Sequence, residues 1–333
     1  MKQEPTSKPT ARADAGERIP LVREGEDVNS FGGTVEIHGH RGARGLRPEN
    51  TLPGFVHALD LGVDAVELDV GMTADGVVVL SHDQVLSAVN LADTAPAVAG
   101  DPLFPYVGRA LGDLTFAQVR TLDASARRPV PGTADPFAAT QRPVPGTRVP
   151  TLAEACALLG PSGRVELAVE LKTDPDWPEA RVRRFTVAVA DVLAAHGLTS
   201  RSRLLAFDWR VLAAAAQCAP SLGRVALIER KTLRPGTRWL AGLPPADPVG
   251  AALAIGATVL SPERHLTTPA LLADAHAVAL PVAVWTVNDP AEMAWLTRLG
   301  ADAIVTDYPD RLRAVLKALK LPLPSPTPVP APA

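Results

Sequence analysis

The sequence predicts an α/β protein, a (β/α)8 TIM barrel with an insertion after a hairpin at its second strand. Short β-branched runs alternate with Ala/Leu-rich stretches between residues 34 and 316, which is typical of parallel βα units. Eight runs of each kind can be counted, and eight such units close into a barrel of about 250 residues. Charged and imidazole side chains follow several of the apolar runs, at the strand ends where barrels carry their chemistry.

Each predicted element is a run bounded by turn residues. The predicted strands are Val35–His40, Ala65–Val70, Val165–Leu171, Leu204–Phe207, Val225–Ile228, Thr258–Leu260, Val282–Val287 and Ala303–Thr306. The predicted helices are Leu52–Leu61, Leu152–Leu159, Ala180–His196, Trp209–Ala219, Pro248–Ile255, Thr268–Ala279, Pro290–Leu299 and Arg311–Lys320.

A ninth β-like run, Val77–His82, follows the second strand too closely for a parallel crossover, which takes roughly a dozen residues. Asp75-Gly76 is a strong two-residue hairpin signal. Pairing outward from that turn places Met72 opposite Val79 and Asp69 opposite His82. The pattern therefore predicts a hairpin that brings His82 to the barrel mouth.

The organisation predicted around the barrel has four parts. Residues 1–33 form a polar, flexible extension, residues 34–320 the catalytic barrel, residues 83–150 an insertion over its mouth, and residues 321–333 a proline-rich, disordered tail. The extension lacks the apolar stretch of a secretory signal, which predicts a cytoplasmic protein as the sequence is written. An exported protein would require a start site further upstream.

Composition and charge exclude several classes of protein. With 47% hydrophobic residues the chain can build a large core, and its net charge of −3 offers no basic surface for nucleic acid. No run of about 18 apolar residues suggests a membrane span. These observations favour an enzyme or binding protein that acts on a small molecule, and they leave the oligomeric state open.

Three carboxylates predict a metal site. Glu67 and Asp69 are two residues apart on a strand and share one face, and Glu170 ends the next barrel strand. Ionised carboxylates in one cavity repel each other unless a cation or a proton lies between them. All-oxygen ligands suit Mg²⁺ or Ca²⁺ rather than zinc. The alternative is a group of solvated acids at the barrel rim.

Two histidines and two basic residues predict chemistry on a phosphate ester. His40 and His82 follow neighbouring strands, where they can serve as general acid and general base. Arg41 offers a planar fork for phosphate oxygens, and Lys172 a point charge near the transition state. A plain salt bridge with Glu170 is the alternative for Lys172.

Two further residues are predicted to support the site. Glu49 precedes the first helix and can hold Arg41 in place. Trp285 ends the seventh strand, where it forms an apolar wall for a small polyol or simply fills the barrel.

The chain resembles the glycerophosphodiester phosphodiesterase family of the phospholipase-C-like superfamily. The resemblance rests on motifs that occur in the family's order over residues 34–316: His40-Arg41-Gly42, Pro48-Glu49-Asn50-Thr51, Glu67-Leu68-Asp69, Asp75-Gly76, His82-Asp83, Glu170-Leu171-Lys172, Trp285-Thr286-Val287-Asn288 and Thr306-Asp307-Tyr308-Pro309. The resemblance implies hydrolysis of a glycerophosphodiester to an alcohol and sn-glycerol 3-phosphate, with one divalent cation, Mg²⁺ or Ca²⁺.

The resemblance also implies a role for each matching residue. The implied metal ligands are Glu67, Asp69 and Glu170, the acid–base pair is His40 and His82, the phosphate contacts are Arg41 and Lys172, and Trp285 belongs to the glycerol pocket. The nucleophile is water or the glycerol 2-hydroxyl. Two alternatives remain open: a lysophospholipase D, whose acyl chain would meet Leu103, Phe104, Tyr106 and Val107, and a non-catalytic barrel that binds a phosphorylated ligand.

Overall fold

Eight parallel strands form a nearly closed barrel in the computed structural model, which describes residues 34–130 and 132–329. The barrel strands are β1 (Glu36–Gly39), β2 (Ala65–Met72), β4 (Glu166–Leu171), β5 (Ser202–Ala206), β6 (Gly223–Ile228), β7 (Val259–Pro262), β8 (Ala283–Val284) and β9 (Ala303–Thr306). Single bridges, Leu260 to Val282 and Glu263 to Trp285, join β7 to β8 and complete the ring. The predicted barrel is confirmed.

A helix follows each barrel strand or its hairpin, as parallel connections require. The helices of the outer layer are α1 (Leu52–Leu61), α3 (Leu152–Leu159), α4 (Glu179–Ala195), α5 (Arg210–Cys218), α6 (Pro248–Ala254), α7 (Pro269–Ala277), α8 (Pro290–Leu299) and α9 (Pro309–Ala318). The main core lies between these helices and the strands, whereas small apolar residues such as Ala168, Ala283 and Ala303 fill the barrel interior.

The hairpin exists, but its predicted register is wrong by one residue. Strand β3 (Val78–Leu80) pairs antiparallel with β2, and Met72 lies opposite Val78 rather than Val79. The turn contains three residues instead of two, because Gly76 donates to the carbonyl of Thr73 and itself adopts a φ of 82°. A three-residue turn that ends in a left-handed glycine shifts every later pair by one position.

Between β3 and α3 lies the insertion, which has a hydrophobic core of its own. It contains the short helix α2 (Phe116–Val119), and its buried core includes Leu86, Tyr106, Leu111 and Leu122. Its backbone bonds to the loop after β1, since the amide of Arg142 donates to the carbonyl of Leu46. The insertion therefore packs on the face of the barrel where the strands end.

The terminal segments were predicted to be flexible. Residues 1–33, on which the predicted extension and cytoplasmic location rest, lie outside the described residues, as do residues 330–333. Residues 321–329 do not match the expectation of a disordered tail: Arg313 donates to the carbonyl of Pro324, and the amide of Thr327 donates to that of Leu59. Within residues 34–130 and 132–329, no helix has both the length and the apolar content that crossing a membrane requires.

Candidate active site

Three buried carboxylates meet where β2 and β4 end. Asp69 and Glu170 are register partners on these neighbouring strands, and Glu67 lies two residues before Asp69 on the same face. One oxygen from each of the three lies within 4.8 Å of the other two. The structure thus brings together the three acids that the sequence singles out.

The electrostatics of the three acids suit a cation. Burial, together with the charges of Asp69 and Glu170, raises the pKa of Glu67 well above its usual range. Burial also raises the pKa of Glu170. Within the described residues, the buried Glu67 Oε1 accepts no hydrogen bond, and Asp69 Oδ1 has only the ammonium group of Lys172 as a partner. Hard oxygen donors with unused lone pairs, held close in a buried site, fit Mg²⁺ or Ca²⁺.

Lys172 lies within the acid cluster. Its Nζ atom is 2.9 Å from Asp69 Oδ1 and also contacts Glu170 Oε1. Burial opposes ionisation of Asp69, but Lys172 and Arg41 together hold the pKa of Asp69 well below its usual range. The salt bridge foreseen as the alternative for Lys172 is therefore present.

Arg41 is directed into the site by a tight turn after β1. Arg41 and Gly42 both have positive φ values, 51° and 88°, and a Cβ atom on Gly42 would lie 2.9 Å from the Phe55 ring. The turn places the Arg41 amide 2.8 Å from Glu67 Oε2. The guanidinium donates to Glu49 Oε1 at 2.6 Å, and its Nε is 3.0 Å from Asp69 Oδ2. Glu49 and Asp69 thus contact the same guanidinium group.

His40 is oriented by a carboxylate from the other end of the chain. Its Nδ1 lies 2.6 Å from Asp307 Oδ1, just after β9, while its Nε2 lies 3.9 Å from Glu67 Oε2. Burial and the charges of Arg44 and Arg41 lower the pKa of His40 to about 4, although Asp307 acts in the opposite direction. The imidazole is therefore neutral at neutral pH, with Nδ1–H donating to Asp307 and the Nε2 lone pair facing the acid cluster.

His82 is not opposite Asp69, contrary to the sequence prediction. With the shifted register it is the amide of Ser81 that donates to the carbonyl of Asp69. His82 still lies close enough for its charge to lower the pKa of both Asp69 and Glu170. Its side chain is 35% exposed, and its Nδ1 bonds Asp83 Oδ1 at 2.7 Å. His82 therefore faces solvent at the edge of the site, whereas the His40 side chain is only 11% exposed.

Trp285 lies on the far side of the barrel mouth and is half-buried. Its Nε1 donates to the carbonyl of Ser261, and its ring makes an edge contact with Phe207 at 5.4 Å. The two rings pack on the small residues of the barrel interior. Trp285 consequently contributes to both the filling of the barrel and a partly open aromatic wall.

Sequence reasoning missed several residues that hold the site together. Asp307 accepts from Arg44 and Asn288 as well as from His40. Thr51 caps α1, whereas its neighbour Asn50 exchanges two hydrogen bonds with Asp69. The motif Thr306-Asp307-Tyr308-Pro309 could have pointed to Asp307 as a site residue, because this aspartate directly follows a barrel strand.

The chain is similar to known proteins of one family. Residues 40–311 match the model of the glycerophosphoryl diester phosphodiesterase family. A glycerophosphodiester phosphodiesterase of Caldanaerobacter subterraneus is 25% identical over 276 residues, which are 82% of this chain and 94% of that protein.

Two solved structures have a similar fold. A protein of Silicibacter pomeroyi assigned as a glycerophosphoryl diester phosphodiesterase shares 31% identity at a TM-score of 0.76, over 88% of this chain and 96% of that chain. A phosphodiesterase of Oleispira antarctica, solved with its product sn-glycerol-3-phosphate, has 22% identity and a TM-score of 0.64, over 87% of this chain and 99% of that chain.

Proposed function

The chain belongs to the glycerophosphoryl diester phosphodiesterase family, and from this premise we propose that it hydrolyses glycerophosphodiesters to an alcohol and sn-glycerol 3-phosphate. The observation that carries the proposal is the buried cluster of Glu67, Asp69 and Glu170 beside Lys172 and His40. All of these residues lie within the part of the chain that matches the family. The reaction class is phosphoric diester hydrolysis.

Glu67, Asp69 and Glu170 would hold one divalent cation, Mg²⁺ or Ca²⁺. The close approach of the three acids, the Glu67 Oε1 atom that accepts no hydrogen bond from the described residues, and the raised pKa of Glu67 support this assignment. A bound cation would supply Lewis-acid polarisation of a non-bridging phosphate oxygen. Asn50, through its two bonds to Asp69, keeps that carboxylate aimed at the cluster.

The two histidines divide the proton transfers between them. His40 Nε2 takes the proton of the nucleophilic hydroxyl as the new P–O bond forms. With water as nucleophile the step gives sn-glycerol 3-phosphate directly. With the glycerol 2-hydroxyl it gives a cyclic phosphate, which water opens in a second step in which the two histidines exchange roles. Asp307 stabilises the imidazolium that results, because it already accepts from Nδ1. His82 gives a proton to the leaving alkoxide as its P–O bond breaks, which suits its more exposed position.

Charge and shape position the substrate. Lys172 and Arg41 contact the non-bridging phosphate oxygens, whose developing charge they stabilise, and Glu49 orients Arg41. Trp285 and Phe207 provide the wall for the glycerol carbons.

A polar leaving group fits this site better than an acyl chain. The apolar side chains on which the lysophospholipase D alternative depends pack into the insertion: Tyr106 is fully buried, and Leu103, Phe104 and Val107 pack around that core. The small cavity beside His82 has a mixed lining, with the polar residues Ser81, Asp83, Ser87 and Asn90 and the apolar residues Leu80, Leu91, Ala124 and Val149. The burial of the insertion's apolar side chains is therefore what favours a head-group alcohol over an acyl chain.

The decisive experiment measures glycerol 3-phosphate release from glycerophosphocholine by EDTA-treated protein, before and after addition of Mg²⁺ or Ca²⁺. Metal-dependent release is the expected result, and Glu67→Gln should abolish it. The matched control is Glu166→Gln, since Glu166 pairs with Arg203 at the opposite end of β4. Silence with every diester tested would favour the non-catalytic barrel instead, and release from lysophosphatidylcholine alone would favour lysophospholipase D.

A further inference from the structure

The insertion contacts the loop after β1 through an aromatic ring that lies between two guanidinium groups. Phe137 is almost fully buried, and the guanidinium carbons of Arg44 and Arg127 lie 5.0 Å and 5.2 Å from the centre of its ring. Arg44 follows β1, whereas Arg127 and Phe137 belong to the insertion. Cation–π contacts of this kind hold a guanidinium in place more strongly when they are shielded from water.

The same two arginines converge on Glu49. Arg44 Nη1 and Arg127 Nη1 are each 3.9 Å from Glu49 Oε2, a buried oxygen that accepts no hydrogen bond. The other oxygen of Glu49 accepts from Arg41. Asp135 in turn fixes Arg127 through a contact of 2.9 Å with its Nε. The charge of Arg127 thus acts on the carboxylate that orients Arg41.

Arg44 connects this arrangement to the catalytic histidine. Its Nε and Nη2 donate to the two oxygens of Asp307 at 2.8 Å and 3.0 Å, and Asp307 accepts from His40. An arginine side chain loses rotamer entropy when it is ordered, and that loss opposes ordering. The ring of Phe137 restricts Arg44 before substrate arrives, so that this cost is not part of the catalytic step.

Two neighbouring side chains attach the insertion to the backbone of the same loop. Thr140 Oγ1 donates to the carbonyl of Gly45 at 2.7 Å, and Gln141 Nε2 donates to that of Arg44 at 2.6 Å. Thr140 also lies 3.1 Å from the hydroxyl of Tyr308, the residue after Asp307. The insertion therefore contacts both segments that orient His40.

We propose that Arg127 and Phe137, with Thr140 and Gln141, form a clamp that positions the His40–Asp307 pair and Arg41 for phosphodiester hydrolysis. The proposal rests on the proposed function, because the clamp acts on residues assigned to that reaction. Arg127 and Phe137 are positioning residues: they act through Arg44 and Glu49. In this proposal the insertion contributes to catalysis by holding active-site residues in position.

The test compares Arg127→Met and Phe137→Leu with the wild-type protein. Misplaced supporting groups typically cost 10- to 100-fold in activity, so we expect kcat to fall about tenfold for each variant, with KM little changed. A readout independent of turnover is the NMR signal of the His40 Nδ1 proton, which should shift in both variants. The melting temperature is recorded for every protein.

Arg128→Met is the matched control. Arg128 is the next residue along the chain, but it pairs with Asp123 inside the insertion. It forms no hydrogen bond or ion pair with Arg44 or Glu49, the described residues through which the clamp acts. Its variant should keep the wild-type kcat and His40 signal. The clamp would be refuted if Arg127→Met and Phe137→Leu also kept the wild-type kcat and the wild-type His40 signal. It would equally be refuted if kcat fell as far in Arg128→Met as in these two variants. If the wild-type protein hydrolysed no diester, the proposed function would fail, and the His40 signal would still decide whether the clamp exists.

Discussion

Replacing Asp307 by Asn should disable His40 without changing the volume of the site. Asp307 is almost fully buried and accepts hydrogen bonds from His40, Arg44 and Asn288. Burial alone would raise the pKa of Asp307, but His40 and Arg44 hold it well below its usual range, so the carboxylate is ionised. An asparagine amide facing Nδ1 would donate rather than accept. The imidazole proton would then move to Nε2, where the base needs a lone pair.

The expected loss follows from the hydrogen bond that Asp307 makes to the developing imidazolium. Such charged hydrogen bonds contribute about 1.5–3 kcal/mol, which corresponds to roughly 10- to 150-fold in rate. The wrong tautomer adds to this loss, and the same change in a Ser-His-Asp triad costs about 10⁴-fold. We therefore expect kcat to fall by at least about 100-fold.

The assay is kcat for glycerol 3-phosphate release at saturating metal, with circular dichroism and thermal unfolding to confirm the fold. Asp302→Asn is the matched control, because Asp302 also bonds a histidine, His276, but does so at an exposed position away from the site. A kcat for Asp307→Asn within about threefold of wild type, less than 1 kcal/mol in activation free energy, would refute the orienting role of Asp307.

Three further predictions concern metal binding and the loop after β1. Mg²⁺ or Ca²⁺ should raise the melting temperature of EDTA-treated protein in a concentration-dependent way, and this dependence should vanish in Glu67→Gln; an equal rise in both proteins would exclude the acid cluster as the site. Asn50→Ala should weaken metal affinity about 10- to 100-fold in calorimetric titration, because Asp69 loses two hydrogen bonds; unchanged affinity would contradict this. Gly42→Ala should lower the free energy of unfolding by about 1–3 kcal/mol. The loss should exceed that of Gly100→Ala, whose added Cβ atom meets no described residue within 4 Å. Urea denaturation of the two variants measures the difference, and equal losses would contradict the prediction.

The local pattern of the sequence was sufficient to predict the barrel. Each of its eight strands and eight outer helices was identified, and most bounds agree within two residues; α1, α3 and α8 match at both ends. Hydrophobic periodicity and the residues that begin and end elements depend on neighbours along the chain. The acid cluster followed from the same reasoning, since Glu67 and Asp69 share a strand face and Glu170 ends the next barrel strand.

The hairpin shows where local reasoning stops. Asp75-Gly76 marked the turn correctly, but the turn takes three residues, and this single extra residue moves Ser81 into the position predicted for His82. Two-residue and three-residue turns can use the same glycine, and the dipeptide alone does not distinguish them. The backbone bonds that close the turn, Gly76 to Thr73 and Thr73 to Val77, show which of the two forms is present.

Sequence alone determined the order of elements, the barrel and which residues to propose for catalysis, because each depends on periods and motifs within a few positions. Only the tertiary structure decided that Asp307 orients His40 across 267 positions of sequence, that Phe137 reaches Arg44, and that residues 321–329 lie along the barrel. These pairings arise when the last strand meets the first and the insertion closes on the mouth. The free energy of these contacts depends on burying and aligning residues that are far apart in the sequence, and a local pattern carries no information about that.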